Sequence, residues 1–234
     1  MTPTAAAVGA TRFLRRADPK IVVVIGIAGC LGNELALGDV VVGTEIYDFL
    51  AEARAEDIPE LANMGLATPR SGFRLVPSGK TKSTTKRLTN SIMEFSSEPY
   101  VNWQKAGTAE FNNRRSLDKQ KRQRLLDNKL VHRSPQFQDG KIASSSVLVA
   151  SKNLRDWLLD RDRKWMAVEM ESIGVLAAVE YWETPVQTVV LRGMSDFADR
   201  RKKGFDRIGG GSFRRLAMNN ATRSSLSLKM TAYR

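Results

Sequence analysis

Cysteine and histidine are nearly missing from this 234-residue chain, which has one of each, Cys30 and His132. A single cysteine cannot form an intrachain disulfide, and that fits a reducing compartment. A single histidine excludes a histidine-rich metal site and leaves little basis for a Cys-His dyad. Neither a metal nor a redox cofactor is therefore expected. Long hydrophobic runs are also lacking. The longest, Ile21 to Leu31, is far short of the roughly 20 residues that cross a bilayer as a helix. The first residues, Met1 to Val8, carry no basic segment ahead of their apolar ones. A cytoplasmic protein without membrane contact is the expectation.

Acidic residues are outnumbered, with 25 Asp and Glu against 37 Lys and Arg, a net charge of +12. The excess is local. Residues 68–135 hold 15 basic and 5 acidic residues, or +10, and the rest of the chain carries about +2. A solvated loop and helix would account for such a segment, and so would contact with a phosphate-bearing ligand or nucleic acid. Nothing else in the chain supports nucleic acid as a partner. The hydrophobic share of 42% and charged share of 26% are those of an ordinary globular domain, and the length allows a sizeable core.

Apolar patterning divides the chain. Residues 1–19 read as disordered or weakly helical. A domain follows over 20–234, with a basic insertion at about 68–135. Ile21 to Ile27 is a β-branched run of the kind found in fully buried strands. Val40 to Ile46 is a second strand, entered through Gly38-Asp39. From Asp48 to Pro135 the pattern weakens: Glu52 to Met64 suits a short helix, Pro69 to Ser78 a loop, and Thr84 to Phe95 and Leu117 to Leu130 two further helices. Ile142 to Ala150 reads as a strand, and Ser151 as the N-cap of a helix over Asn153 to Arg161. The run ending at Val168 is a short strand. After it the apolar spacing turns helical up to Pro185, and Val186 to Leu191 is a buried strand again. Alternating strands and helices make an α/β domain with three layers, α/β/α, around a central sheet. Glu171 and Asp196 then fall just past the ends of two successive strands, where open α/β sheets bind ligands.

Three pieces carry a family resemblance. Val168-Glu169-Met170-Glu171 and, one helix and one strand later, Arg192-Gly193-Met194-Ser195-Asp196-Phe197-Ala198-Asp199 form the first. Gly26-Ile27-Ala28-Gly29-Cys30-Leu31, followed by Leu37-Gly38-Asp39-Val40, forms the second. Gly140-Lys141-Ile142-Ala143-Ser144-Ser145-Ser146 forms the third. In this order and spacing the chain resembles the superfamily of nucleoside phosphorylases and methylthioadenosine/S-adenosylhomocysteine nucleosidases. The resemblance implies a mixed, partly barrel-like central sheet. It also implies cleavage of the N-glycosidic bond of a purine nucleoside or nucleotide, with relatives forming dimers or larger rings, so a homo-oligomer is implied too.

Such cleavage gives the sugar oxocarbenium character and loads negative charge onto the departing purine unless it is protonated. By resemblance Asp196 is the general acid and Ser195 orients it. An unperturbed Asp is only about 0.1% protonated at neutral pH, so the site must either raise its pKa by burial or supply the proton only as the bond breaks. Without the resemblance, Ser195-Asp196 reads as an ordinary cap. Glu171 would accept the ribose hydroxyls, with Met170 packed on the sugar. Ala28 and Gly29 would bring backbone N–H groups to the ribose or the nucleophile. Leu148 would pack on the base where many nucleosidases have an aromatic ring, and Val149 would offer its backbone to the base edge. Glu169 is expected to face the other way. Cys30 reads as a small packed residue.

Relatives that use phosphate commonly carry an Arg two residues before the glycine that Gly26 matches, and here that residue is Val24. A phosphate dianion would lose a charge-assisted contact, so hydrolysis is expected over phosphorolysis. Relatives also begin with strands that precede the glycine-rich turn, one of them carrying a Glu that activates water. Residues 1–20 contain no Glu, and Asp18 is their one acid, so the N-terminal strands are expected to be missing. The alternatives are a phosphate-dependent nucleoside phosphorylase and a catalytically inactive nucleoside-binding domain.

Overall fold

The computed structural model describes residues 2–57, 73–76, 79–94, 97–208 and 211–231. In chain order the elements are α1 (Pro3–Ala17), β1 (Ile21–Cys30), β2 (Val40–Asp48), β3 (Arg54–Asp57), β4 (Phe73–Val76) and β5 (Lys80–Ser83). Then come α2 (Lys86–Ile92), α3 (Glu98–Asn112), α4 (Lys119–Asp127), β6 (Phe137–Ser144), α5 (Lys152–Arg161) and β7 (Trp165–Glu169). The last are α6 (Ser172–Glu180), β8 (Gln187–Asp196), α7 (Lys202–Arg207) and α8 (Ser212–Thr231).

Six strands form one mixed sheet in the order β5-β2-β6-β7-β1-β8, and β2 also pairs with β8. That extra pairing closes β2, β6, β7, β1 and β8 into a barrel. The β2–β6, β6–β7 and β1–β8 pairs are parallel. The β1–β7 and β2–β8 pairs are antiparallel. The mixed, partly barrel-like sheet that the resemblance implied is what the strands form. β3 and β4 make a separate two-stranded ribbon. Among the described residues, no helix is long and apolar enough to cross a membrane.

Closure at β2 and β8 is possible because both strands are apolar on two faces. Val40, Val41, Val42, Val189, Val190 and Leu191 are completely buried. β1 differs. It meets β7 only at Gly29 and Cys30, while Ile21 to Ala28 pair with β8 alone among the described residues. One edge of β1 is therefore open, and Val22 to Ile25 are only half-buried.

Residues 3–17, expected to be disordered or weakly helical, form a regular capped helix instead. Thr2 Oγ1 accepts from the Ala5 N–H at 3.3 Å, Pro3 sits in the first turn, and Arg15 and Arg16 occupy the last, each favourable at its end. Packing on α6 holds it. A Cβ at Gly174 would lie 1.9 Å from the Pro3 carbonyl oxygen, so the glycine lets the two helices touch.

The basic segment contributes to the core rather than looping away from it. Trp103 donates its indole N–H to the Asn220 carbonyl at 2.8 Å. Phe111, Leu117 and Leu125 are buried with the central strands. The helix expected from Glu52 gives way to β3 at Arg54–Asp57, and β4 replaces loop at Phe73–Val76. The remainder of those two stretches lies outside the described residues.

Candidate active site

A cleft of about 670 Å³ follows the open edge of β1 and is walled by α1, the end of β7, the start of α6, β8 and α8. That volume suits a small organic ligand. Ala28, Gly29, Leu148, Met170, Glu171, Ser195 and Asp196 all line it. Val149 does not line it, and its side chain is buried with Leu31, Phe49 and Trp165. His132 and Phe137 also lie elsewhere. His132 pairs with Asp39 at 2.8 Å, and Phe137 stacks beside Trp103. The Cys30 thiol is fully buried, and burial pushes it up to about 12, so it is packed and protonated, not nucleophilic.

Asp196 reaches the cleft through an irregularity in the sheet. β1 and β8 run in parallel register to Ala28 and Met194, then jump so that Gly29 faces Asp196. Ser195 is the extra residue of this bulge, which re-aims the side chain that follows. Asp196 is completely buried. Its Oδ1 accepts from the Ala198 N–H at 2.9 Å, and its Oδ2 accepts from Ser195 Oγ at 3.0 Å and from Lys202 Nζ. Ser195 Oγ also lies 3.2 Å from the Ala28 carbonyl, tying the bulge to β1. Ala198 has φ of 53°, a left-handed conformation that costs a non-glycine residue about 1 kcal/mol or more. Gly29 is needed here. A Cβ on it would lie 2.9 Å from the Ala198 methyl and 3.0 Å from Asp196 Oδ1.

Glu171 stands at the N-terminus of α6, where a carboxylate is favoured by the helix dipole. It does not cap the helix. Glu169 does so, accepting from the Glu171 N–H at 2.9 Å and the Ser172 N–H at 3.0 Å. Glu169 was expected to face away, yet it is buried on the cleft side. The parity of an extended chain accounts for this, because residues two apart share a face. Arg192 completes the cluster. It is 3% exposed, donates to Glu169 and to Ser172 Oγ at 2.7 Å, and lies 3.9 Å from Glu171. Gly26 makes room for it, since a Cβ there would fall 1.7 Å from Arg192 Nη1. Burial pushes the Glu169 carboxyl up. The Arg192 charge and hydrogen bonds from Ser144, Glu171 and Ser172 outweigh burial and hold it below its ordinary value.

The cleft thus has an apolar floor along β1. One end carries the Ser195-Asp196-Lys202 group, and Glu171 stands against a neutralised Glu169–Arg192 pair. Three carboxylates and three cations line it, Arg214 of α8 among them.

Among solved structures, the chain matches 5′-methylthioadenosine/S-adenosylhomocysteine nucleosidase from Neisseria meningitidis in complex with methylthio-immucillin-A. That match has 21% identity and a TM-score of 0.61, over 98% of this chain and 77% of that one. Futalosine hydrolase of Helicobacter pylori matches at 20% identity and a TM-score of 0.57, over 100% and 76%. The nucleosidase of Colwellia psychrerythraea, solved with adenine, matches at 18% and 0.62, over 97% and 74%. At such identities these likenesses speak for the fold. A search of curated sequences finds no match. The family model of the phosphorylase superfamily matches residues 1–228, nearly the whole chain, and the chain belongs to that superfamily.

Proposed function

We infer that the chain hydrolyses the N-glycosidic bond of a purine nucleoside or nucleotide. The observation that carries this reading is one cleft holding two separate carboxylates. Glu171 stands at a helix start that Glu169 caps in its place, and Asp196 sits on a bulge beside an ammonium. The first suits ribose hydroxyls, which donate to a carboxylate. The second suits the base, where a proton must arrive as the bond breaks. In this reading Met170 packs on the sugar and Leu148 on the base, and both line the cleft. The matched nucleosidases were solved with methylthio-immucillin-A and with adenine, and the adenine supports a purine for this cleft.

Water is favoured over phosphate as the nucleophile. Arg192 is the cation at Gly26, and Glu169 and Glu171 together outweigh its single positive charge. A dianion approaching there would gain little. Binding without turnover is the second reading. It is favoured by the engagement of Glu169 with Arg192 and of Asp196 with Lys202, which leaves neither carboxylate to activate water.

The test is base release from adenosine and 2′-deoxyadenosine, followed by chromatography for the wild type and Glu171→Gln. The wild type should prefer the ribonucleoside, and the variant should lose most of that preference. Equal preference in both would remove Glu171 from ribose recognition, and binding of adenosine without any release of base would support the second reading.

A further inference from the structure

The stretch from Arg200 to Arg215 carries seven Lys and Arg and a single acid, Asp206. Neutral adenosine gives this charge nothing to meet. The stretch is well anchored. Phe205 of α7 is buried against Phe197 and Phe213, with ring centroids 5.6 Å and 5.8 Å away. Those contacts fix α7 and the start of α8 beside the cleft, and two of the seven cations, Lys202 and Arg214, line it.

Three cations face the cleft in all. Arg192 lies against Glu169, and Lys202 lies against Asp196. Arg214 has no carboxylate partner among the described residues. It is exposed, in a first helical turn that holds two arginines and no acid. The helix dipole disfavours cations there, so Arg214 gains nothing from its own helix.

A purine nucleoside has three groups for a site to hold. With the base at Asp196 and the 2′ and 3′ hydroxyls at Glu171, the third is the substituent at 5′. The wall left for it is α8, which presents Arg214 and, one turn further along, Met218. A guanidinium fork matches the oxygens of a phosphate. Arg200, Lys203 and Arg207, all exposed on the same stretch, add a positive field that favours a dianion over a single charge.

We propose that the cleft takes a purine nucleoside 5′-phosphate and that Arg214 selects it over the free nucleoside. This rests on the purine nucleosidase reading of the cleft.

The experiment compares adenosine, adenosine 5′-monophosphate and adenosine 5′-carboxylate on wild type, Arg214→Gln and Arg214→Lys. Adenine release gives kcat/KM, and calorimetry gives affinity. Wild type should favour the monophosphate over adenosine by about 10- to 100-fold, the scale of a charge-assisted hydrogen bond. The preference should lie mostly in KM and shrink as salt rises. The carboxylate, with one charge, should fall between the two. Arg214→Gln should remove most of the preference, and Arg214→Lys should keep part of it. A wild type that treats the monophosphate and adenosine alike would overturn the proposal. Equal loss on both substrates in Arg214→Gln would show a structural role and overturn it as well, as would a carboxylate preferred to the phosphate. Adenine release from none of the three would overturn the hydrolase reading instead, and the affinities of wild type and Arg214→Gln would then decide the role of Arg214 by the same comparison.

Discussion

Replacing Arg192 by Met removes the cation on which buried Glu169 depends. Removing one partner of a buried pair costs about 3–5 kcal/mol, because a charge is left without compensation. Here the Glu171 and Ser172 N–H groups still donate to Glu169, so the low end, about 3 kcal/mol, is the expectation. For a chain of this size that corresponds to a melting temperature lower by roughly 6–12 °C. Circular dichroism melts at neutral pH measure it. Gly26→Ala should act in the same direction, since its methyl group claims the space of the guanidinium. Adding Glu169→Gln to Arg192→Met removes the orphaned charge and should recover more than half of the loss. The pH dependence has a definite sign. The Glu169 carboxyl is held below its ordinary value in the fold. Its contribution is thus present above that ordinary value and lost as pH falls through the folded one, and this acid-side loss should shrink in Arg192→Met. A single variant melting within about 1 °C of wild type would refute the buried-pair account.

The opposite pH sign belongs to His132. Its hydrogen bond to Asp39 raises it above 6.5, and burial raises Asp39 too. Both shifts make the fold hold protons more tightly, so the stability they bring is present at lower pH and fades as pH rises through the folded values. Between about pH 6 and about pH 8.5, wild type should lose melting temperature that His132→Asn does not; parallel curves would contradict this. Gly29→Ala should leave the protein folded but slow base release by at least about tenfold, because displacing a reacting group by a fraction of an ångström is costly. Unchanged kinetics would show that the Asp196 bulge tolerates the methyl group.

Much of this architecture is legible in the residues. The β-branched runs at Ile21 and Val186 and the helical spacing after Met170 place β1, β8 and α6, and strand ends place Glu171 and Asp196. Barrel closure between β2 and β8 is not legible, because it depends on both strands being buried on two faces, and periodicity does not name the neighbour. α3 escapes for another reason. Its one buried stripe, Trp103, Gly107 and Phe111, is too sparse to stand out among polar residues. Glu169 could have been found from its spacing of two from Glu171. Lys202 could not, since nothing in Arg200 to Lys203 tells which of four cations turns inward, and that choice follows from the turn that Asp199 makes with the Arg201 and Lys202 N–H groups.

The most direct measurement incubates the wild-type chain and Asp196→Asn with adenosine in phosphate-free buffer and identifies both products by chromatography. Wild type should release adenine together with free ribose, and Asp196→Asn, which keeps the shape but cannot deliver a proton, should be slower by about 100-fold or more. A requirement for phosphate with ribose 1-phosphate as product, or equal rates in the two proteins, would contradict the account.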